Sequence, residues 1–235
     1  QCIEFIDDVL RPYAICDEIL HRPSESLLPR PIVDLLCALG DYPYSDWKPV
    51  ALWALVHSLD GLTDPDTVVF AHGDRNAQRA SLHDGERLMQ ILTMLDRVTG
   101  IDCLNGKSEL ERRTRAATIV RDLKKQMPLQ RIAGFSVSAD EQRLAMLHLR
   151  GELSIDAGMR RLLLIRANEQ LAGERITRPR SLNAVPIIPE RVPTGSQFAA
   201  WPAGTCDYWA QRIGNFVLTQ KAPRYFNAVD DFGAR

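Results

Sequence analysis

The sequence predicts a mainly α-helical α+β chain: a helical region over residues 1–175, then a small module over residues 176–235 ordered strand, long loop, strand, helix. Three observations carry this expectation. Apolar residues recur at three- and four-residue steps through most of the first 175 positions. Arg178-Pro179 then interrupts that spacing. Beyond it, two β-branched and apolar runs, Leu182 to Ile188 and Arg212 to Thr219, read as short strands.

The elements follow in order. Ile3, Ile6, Val9, Leu10 and Tyr13 mark one face of a first helix. Pro29, Pro31 and Pro43 punctuate the next segment, with a short helix from Ile32 to Leu39. Pro49 suits the first turn of a helix from Val50 to Leu59, because its missing N–H has no helical partner there. Thr63 to Ser81, with Asp64-Pro65, Gly73 and many polar residues, reads as loop. Further helices are expected over Asp84–Val98, Glu109–Lys125, Ala139–Leu149 and Asp156–Leu171. Ser138 and Glu141 have the spacing of a capping box for the third of these. Pro186 within Leu182–Ile188, with Pro189 just beyond it, makes this an edge strand, since proline cannot donate to a ladder. After Pro223 the chain returns to helix.

Composition bounds the function. The chain has 235 residues, enough for one large or two small domains, with ordinary apolar and charged content. Its longest apolar run, Val50 to Val56, is far too short to span a membrane. Nothing resembles a secretory leader, and the opening Gln1 suggests a piece of a longer protein. Cys2, Cys16, Cys37, Cys103 and Cys206 are odd in number, scattered and without a Cys-x-x-Cys pair. They make neither a disulfide framework nor a zinc knuckle, and a reducing cytoplasm is expected. No phosphate-cradling Gly-x-x-x-x-Gly-Lys loop is present. The net charge of −1 hides an asymmetry: residues 1–50 hold nine acids and four bases, whereas residues 175–235 hold eight bases and four acids. A basic end on a neutral chain points to phosphate contact.

Other residues take plainer readings. Arg112, Arg113 and Arg115 are expected on the wet face of a helix whose dry face is Ala116, Ile119, Val120 and Leu123. His57 and His148 fall within apolar helical patterns and read as satisfied core residues. His72 and His83 flank the polar loop with Asp74 and Asp84, a weak metal pattern. Trp201 and Trp209 read as core of the small module rather than as stacking platforms.

The segment Ile213-Gly214-Asn215-Phe216-Val217-Leu218-Thr219 carries a more specific signal. It resembles the Ile-Gly-Asn-containing strand of the HNH (ββα-metal) nuclease region in GmrSD/SspE-type restriction proteins. Asn183-Ala184-Val185-Pro186 matches that family's upstream Glu-His-Ile-x-Pro segment. Trp201 matches a loop residue, and Asn227 with Phe232 matches the downstream helix. Arg160-Arg161-Leu162-Leu163-Leu164-Ile165 resembles the end of the family's helical region. The resemblance implies metal-dependent hydrolysis of DNA in an anti-phage restriction system, directed by an upstream sensor and NTPase domain of the parent protein. It implies one divalent cation, Mg²⁺ by the hardness of the oxygen ligands, and a histidine base. On that template Asn183 and Asn227 ligate the metal, position 184 is the base, and Asn215 braces the hairpin and orients the base. Arg212, Lys221 and Arg224 meet DNA phosphates.

This chain departs from the family at the base itself. Position 184 is alanine, and His21, His57, His72, His83 and His148 all lie upstream of the module. Ala184 is either an engineered substitution or a natural loss, and the chain as written is expected not to cut. Two rivals stand beside the disabled nuclease: a natural pseudo-nuclease that binds DNA, and a helical interaction scaffold. In the plainer reading of the residues, Asn215 is a turn residue after Gly214 and Asn227 a helix cap.

Overall fold

A computed structural model describes residues 5–64, 66–70, 79–173, 182–188, 197–202 and 204–220. It is mainly helical with a few short strands, and the chain divides into two compact units, residues 1–138 and 139–235. The helix that precedes residue 175 packs on the strands that follow it, within the second unit. Among the described residues no helix is long and apolar enough to cross a membrane.

The first unit opens with a π-helical turn, Ile6–Leu10, running into α1 (Arg11–His21). The wider turn shifts the phase of the apolar stripe. Pro12, Cys16, Ile19 and Leu20 are buried, whereas Ile6, Val9 and Leu10 of the expected face are exposed. Ile3 lies outside the described residues. Helices α2 (Arg30–Gly40) and α3 (Lys48–Val56) each carry proline in the first turn, as expected for Pro49. Helix α3 is apolar nearly all round and packs against α1, α4 (Gly85–Leu104) and α5 (Glu109–Lys124). Helix α3 ends at Val56 rather than at Leu59, and a two-residue antiparallel ladder, β1 (Leu59–Asp60) with β2 (Ser81–Leu82), brackets the expected loop Thr63–Ser81.

Two caps fix the long helices. The Asp84 carboxylate accepts from Arg87 N–H at 3.2 Å. Ser108 and Glu111 form a reciprocal capping box at the start of α5, with Ser108 N–H donating to Glu111 at 2.8 Å. That box satisfies two N–H groups that the helix cannot, and it holds the Glu111 carboxyl down at about 2 from its ordinary 4.5. The chain beyond α5 buries Leu129, Ile132 and Phe135, and its 3₁₀ turn at Ala133–Phe135 packs on α4 and α5.

The second unit begins with α6 (Ala139–Leu149) and α7 (Ala157–Ala172). Asp156 caps α7, accepting from Gly158 N–H at 2.9 Å and Met159 N–H at 3.0 Å. Helix α7 buries Met159, Leu162 and Ile165 and packs on both strands of a hairpin. That hairpin is β3 (Asn183–Pro186) antiparallel to β4 (Phe216–Thr219), in the register Asn183↔Thr219, Ala184↔Leu218, Val185↔Val217 and Pro186↔Phe216. The long connection is not plain loop: it holds a short helix α8 (Thr205–Ala210) and a 3₁₀ turn at Ile213–Asn215. The second strand therefore starts four residues later than expected. The helix expected after Pro223 lies outside the described residues.

Candidate functional site

Asn215 anchors the hairpin. It is 2% exposed, and the 3₁₀ turn before β4 aims its side chain at the chain leaving β3. Its Oδ1 accepts from Ile188 N–H at 2.8 Å, and its Nδ2 donates to the Ile188 carbonyl at 2.9 Å. Its carbonyl accepts from Ile187 N–H at 2.7 Å, and its own N–H donates to the Arg212 carbonyl at 2.9 Å. A side chain with one donor end and one acceptor end thus extends the ladder past Pro186, where proline supplies no N–H of its own. Both ends of the Asn215 amide thus bond to backbone, in the bracing place that the resemblance implies.

Position 184 lies within this ladder. Successive strand residues point to opposite faces, so Ala184 shares a face with Leu218, Pro186 and Phe216, while Asn183 lies on the other with Thr219. Phe216 is covered by the Arg160 guanidinium, 4.0 Å from the ring centroid. Arg160 also donates to the Ile155 carbonyl at 3.0 Å and to Gln211 at 3.2 Å. Arg161 donates to the Leu182 carbonyl at 3.4 Å, just before β3. The hairpin therefore brings Asn215 to β3 but separates the side chains of Asn183 and Ala184. Asn227, Lys221, Arg224 and Phe232 lie outside the described residues.

Part of the cation site that the resemblance implies, Asn227, lies outside the described residues. Position 184 carries a methyl group, Asn183 offers one neutral amide oxygen on the opposite face, and Asn215 is committed to Ile188. A hard cation needs several oxygens, commonly carboxylates. No group of three or more His, Cys, Asp and Glu able to hold a metal occurs among the described residues.

Beside the clamp lies a cluster of exposed aromatic rings and a cation. Tyr208 is 56% exposed and Trp209 40%, with their rings edge-on at 5.2 Å. The Arg212 guanidinium lies 3.8 Å from the centroid of Tyr208 and 5.7 Å from that of Trp209. Its Nε donates to the Tyr208 carbonyl at 3.2 Å. Gly151 makes this possible: at φ +76°, a Cβ there would fall 2.8 Å from the Arg212 backbone nitrogen. The expectation that Trp209 and Trp201 belong to the core is overturned, since each keeps 40% of its surface exposed. Residue spacing does not show this for Trp209, because its helix of six residues is too short to display a face.

Other expectations are corrected in the first unit. Arg112 and Arg115 are not on a wet face. Arg112 pairs with Asp46 at 2.7 Å and lies 3.6 Å from the Tyr44 ring centroid, and Arg115 pairs with Asp102 at 2.8 Å. These pairs border a cavity of about 20 Å³, room for a single water. Of the three arginines only Arg113 is exposed. His57 is exposed rather than core, stacked on Trp53 with centroids 4.1 Å apart, and its Nδ1 donates to the Trp53 carbonyl. His148 is half-buried, with Nδ1 2.8 Å from the Ser154 carbonyl. His83 lies 3.3 Å from Asp60, whereas His72 is outside the described residues. Cys16 is buried, and burial pushes its thiol up to about 12, so it is an inert core residue.

Comparison with protein-family models, with curated proteins and with solved structures finds no match to this chain.

Proposed function

We propose that the second unit is a DNA-contacting module of the HNH nuclease type from an anti-phage restriction system, which binds the duplex or its strands without cutting them as the chain stands. One observation supports this most: the Tyr208, Trp209 and Arg212 face is tied to the β3–β4 hairpin through the hydrogen bond from Asn215 N–H to the Arg212 carbonyl. Exposed rings beside an arginine suit nucleic acid, because every base presents a π-face and every nucleotide a phosphate. The resemblance of residues 183–186 and 213–219 to the nuclease hairpin, and the basic excess of residues 175–235, add to the same reading. Lys221 and Arg224 belong to it as further phosphate contacts, and an upstream sensor and NTPase domain as its partner. The hydrolytic chemistry is lost with the base, since the Ala184 methyl accepts no proton from water.

The test uses the full chain and labelled oligonucleotides, single-stranded and duplex. DNA binding should appear at low salt and fall steeply between about 50 and 200 mM salt, as counterion release requires. Replacing Tyr208 and Trp209 with alanine should weaken single-strand binding by about 1–3 kcal/mol per stacked base. Absence of binding at low salt would overturn the proposal. Ala184→His then separates a disabled nuclease from a pseudo-nuclease: with Mg²⁺, plasmid nicking appears if only the base was missing. Continued silence leaves the binding module alone.

A further inference from the structure

The first unit contains a groove of about 890 Å³ between the start of α3 and the outer face of α5. Its rim is cationic, formed by Lys48, Arg113, Arg121, Lys124 and Lys125. Its floor is apolar, formed by Pro49, Ala116, Ala117 and Val120. One carboxylate, Asp46, also borders it, but that group is held by Arg112 at 2.7 Å and Arg113 at 3.5 Å. Arg121 bonds the neighbouring Asp122 at 2.9 Å, and Arg113 bonds Glu109 at 2.5 Å. Lys48 and Lys124 form no ion pair among the described residues. The surplus charge therefore faces the open groove.

Geometry selects what fits. From Arg113 to Lys125 the cations run about 18 Å along α5, on the rise of 1.5 Å per residue. Ala117 and Val120 fall between them at helical steps, and the small Ala116 and Ala117 allow close approach of another backbone. A phosphodiester strand is a poor complement. It has nothing apolar for the floor, and no aromatic ring lines the groove to stack a base. A segment with carboxylates on its flanks and apolar residues between them satisfies both rim and floor.

We propose that this groove docks an acidic amphipathic helix, about three turns long, of a partner protein. Apolar burial on the floor supplies contact, and the lysine rim selects carboxylates and sets orientation. The site lies wholly within the first unit and does not depend on the DNA reading of the second.

The experiment measures fluorescence anisotropy of a labelled synthetic helix, with leucine at every third or fourth position and glutamate on the flanks, mixed with the full chain. Saturable binding is expected. The triple variant Lys48→Glu, Lys124→Glu, Lys125→Glu should weaken it about tenfold or more, as should Ala117→Glu in the floor. These side chains lie at the surface, and an unchanged thermal melt verifies that the fold is kept. A peptide with lysine in place of glutamate should not bind, and one with glutamine in place of leucine should bind about tenfold more weakly. Three results would overturn the proposal: binding indifferent to both rim and floor variants, polyglutamate binding as tightly as the amphipathic helix, or a single-stranded oligonucleotide displacing that helix at equal concentration.

Discussion

The two units solve the problem of interior polarity in different ways. The first places charges inside: Asp102 pairs with Arg115, Asp46 with Arg112, and the buried Asp122 with Arg121, whose hydrogen bond holds its carboxyl below the usual range. The second braces its hairpin with a neutral amide, Asn215, and covers it with a guanidinium lying flat on Phe216. A paired charge is stable only while its partner stays in place, since an orphaned buried ion is very costly. A neutral clamp loses only the hydrogen bonds it makes. The first unit should therefore be sensitive to loss of single charges and to acid, and the second mainly to loss of shape and hydrogen bonds.

The largest effect expected from this contrast is at Arg115. Arg115→Ala leaves the Asp102 carboxylate buried without that partner, and the first unit should lose about 3–5 kcal/mol, read as faster hydrogen exchange across α4 and α5. Loss confined to a few tenths of a kcal/mol would show that the pair is not buried in solution. A smaller effect is expected in the second unit. Asn215→Ala removes both contacts to Ile188 and should cost about 2 kcal/mol, read as lost protection of the Ile187 and Ile188 amides. Asn215→Asp should be similarly damaging, because its carboxylate repels the Ile188 carbonyl; full protection in that variant would contradict the amide assignment.

The smallest effect concerns the cap of α5. Ser108→Ala should cost about 1 kcal/mol at neutral pH. Because the folded carboxyl of Glu111 titrates near 2, below its ordinary 4.5, its contribution is complete above about pH 4.5 and fades as pH falls toward 2. The difference in melting temperature between the parent and Ser108→Ala should accordingly narrow over that window. A difference that stays constant to pH 2 would mean that the hydroxyl alone forms the cap.

Much of the helical framework was legible because its signals are local. Helices α2, α4, α5, α6 and α7 fall close to their apolar repeats and proline positions, and β3 lies within the expected run. The π turn before α1 was not legible, because a wider turn does not show in a period of 3.6. The burial of Arg112 and Arg115 depends on partners 66 and 13 positions away, and no spacing on α5 announces them. At the candidate site, the two strands were readable from their apolar runs, whereas the bracing place of Asn215 was expected only through the resemblance that Ile213-Gly214-Asn215 carries. Its partner, Ile188, was not, because the register of two strands separated by a long connection is set by tertiary packing.

The four tryptophans are divided between the two units, which gives each unit its own optical signature. Trp47 is 4% exposed and the indole nitrogen of Trp53 is buried, so the first unit should emit at short wavelength and resist iodide. Trp201 and Trp209, each 40% open to water, should emit to the red and be quenched readily. Ligands of the second unit thereby report themselves through a colour that the first unit does not share, with no label attached.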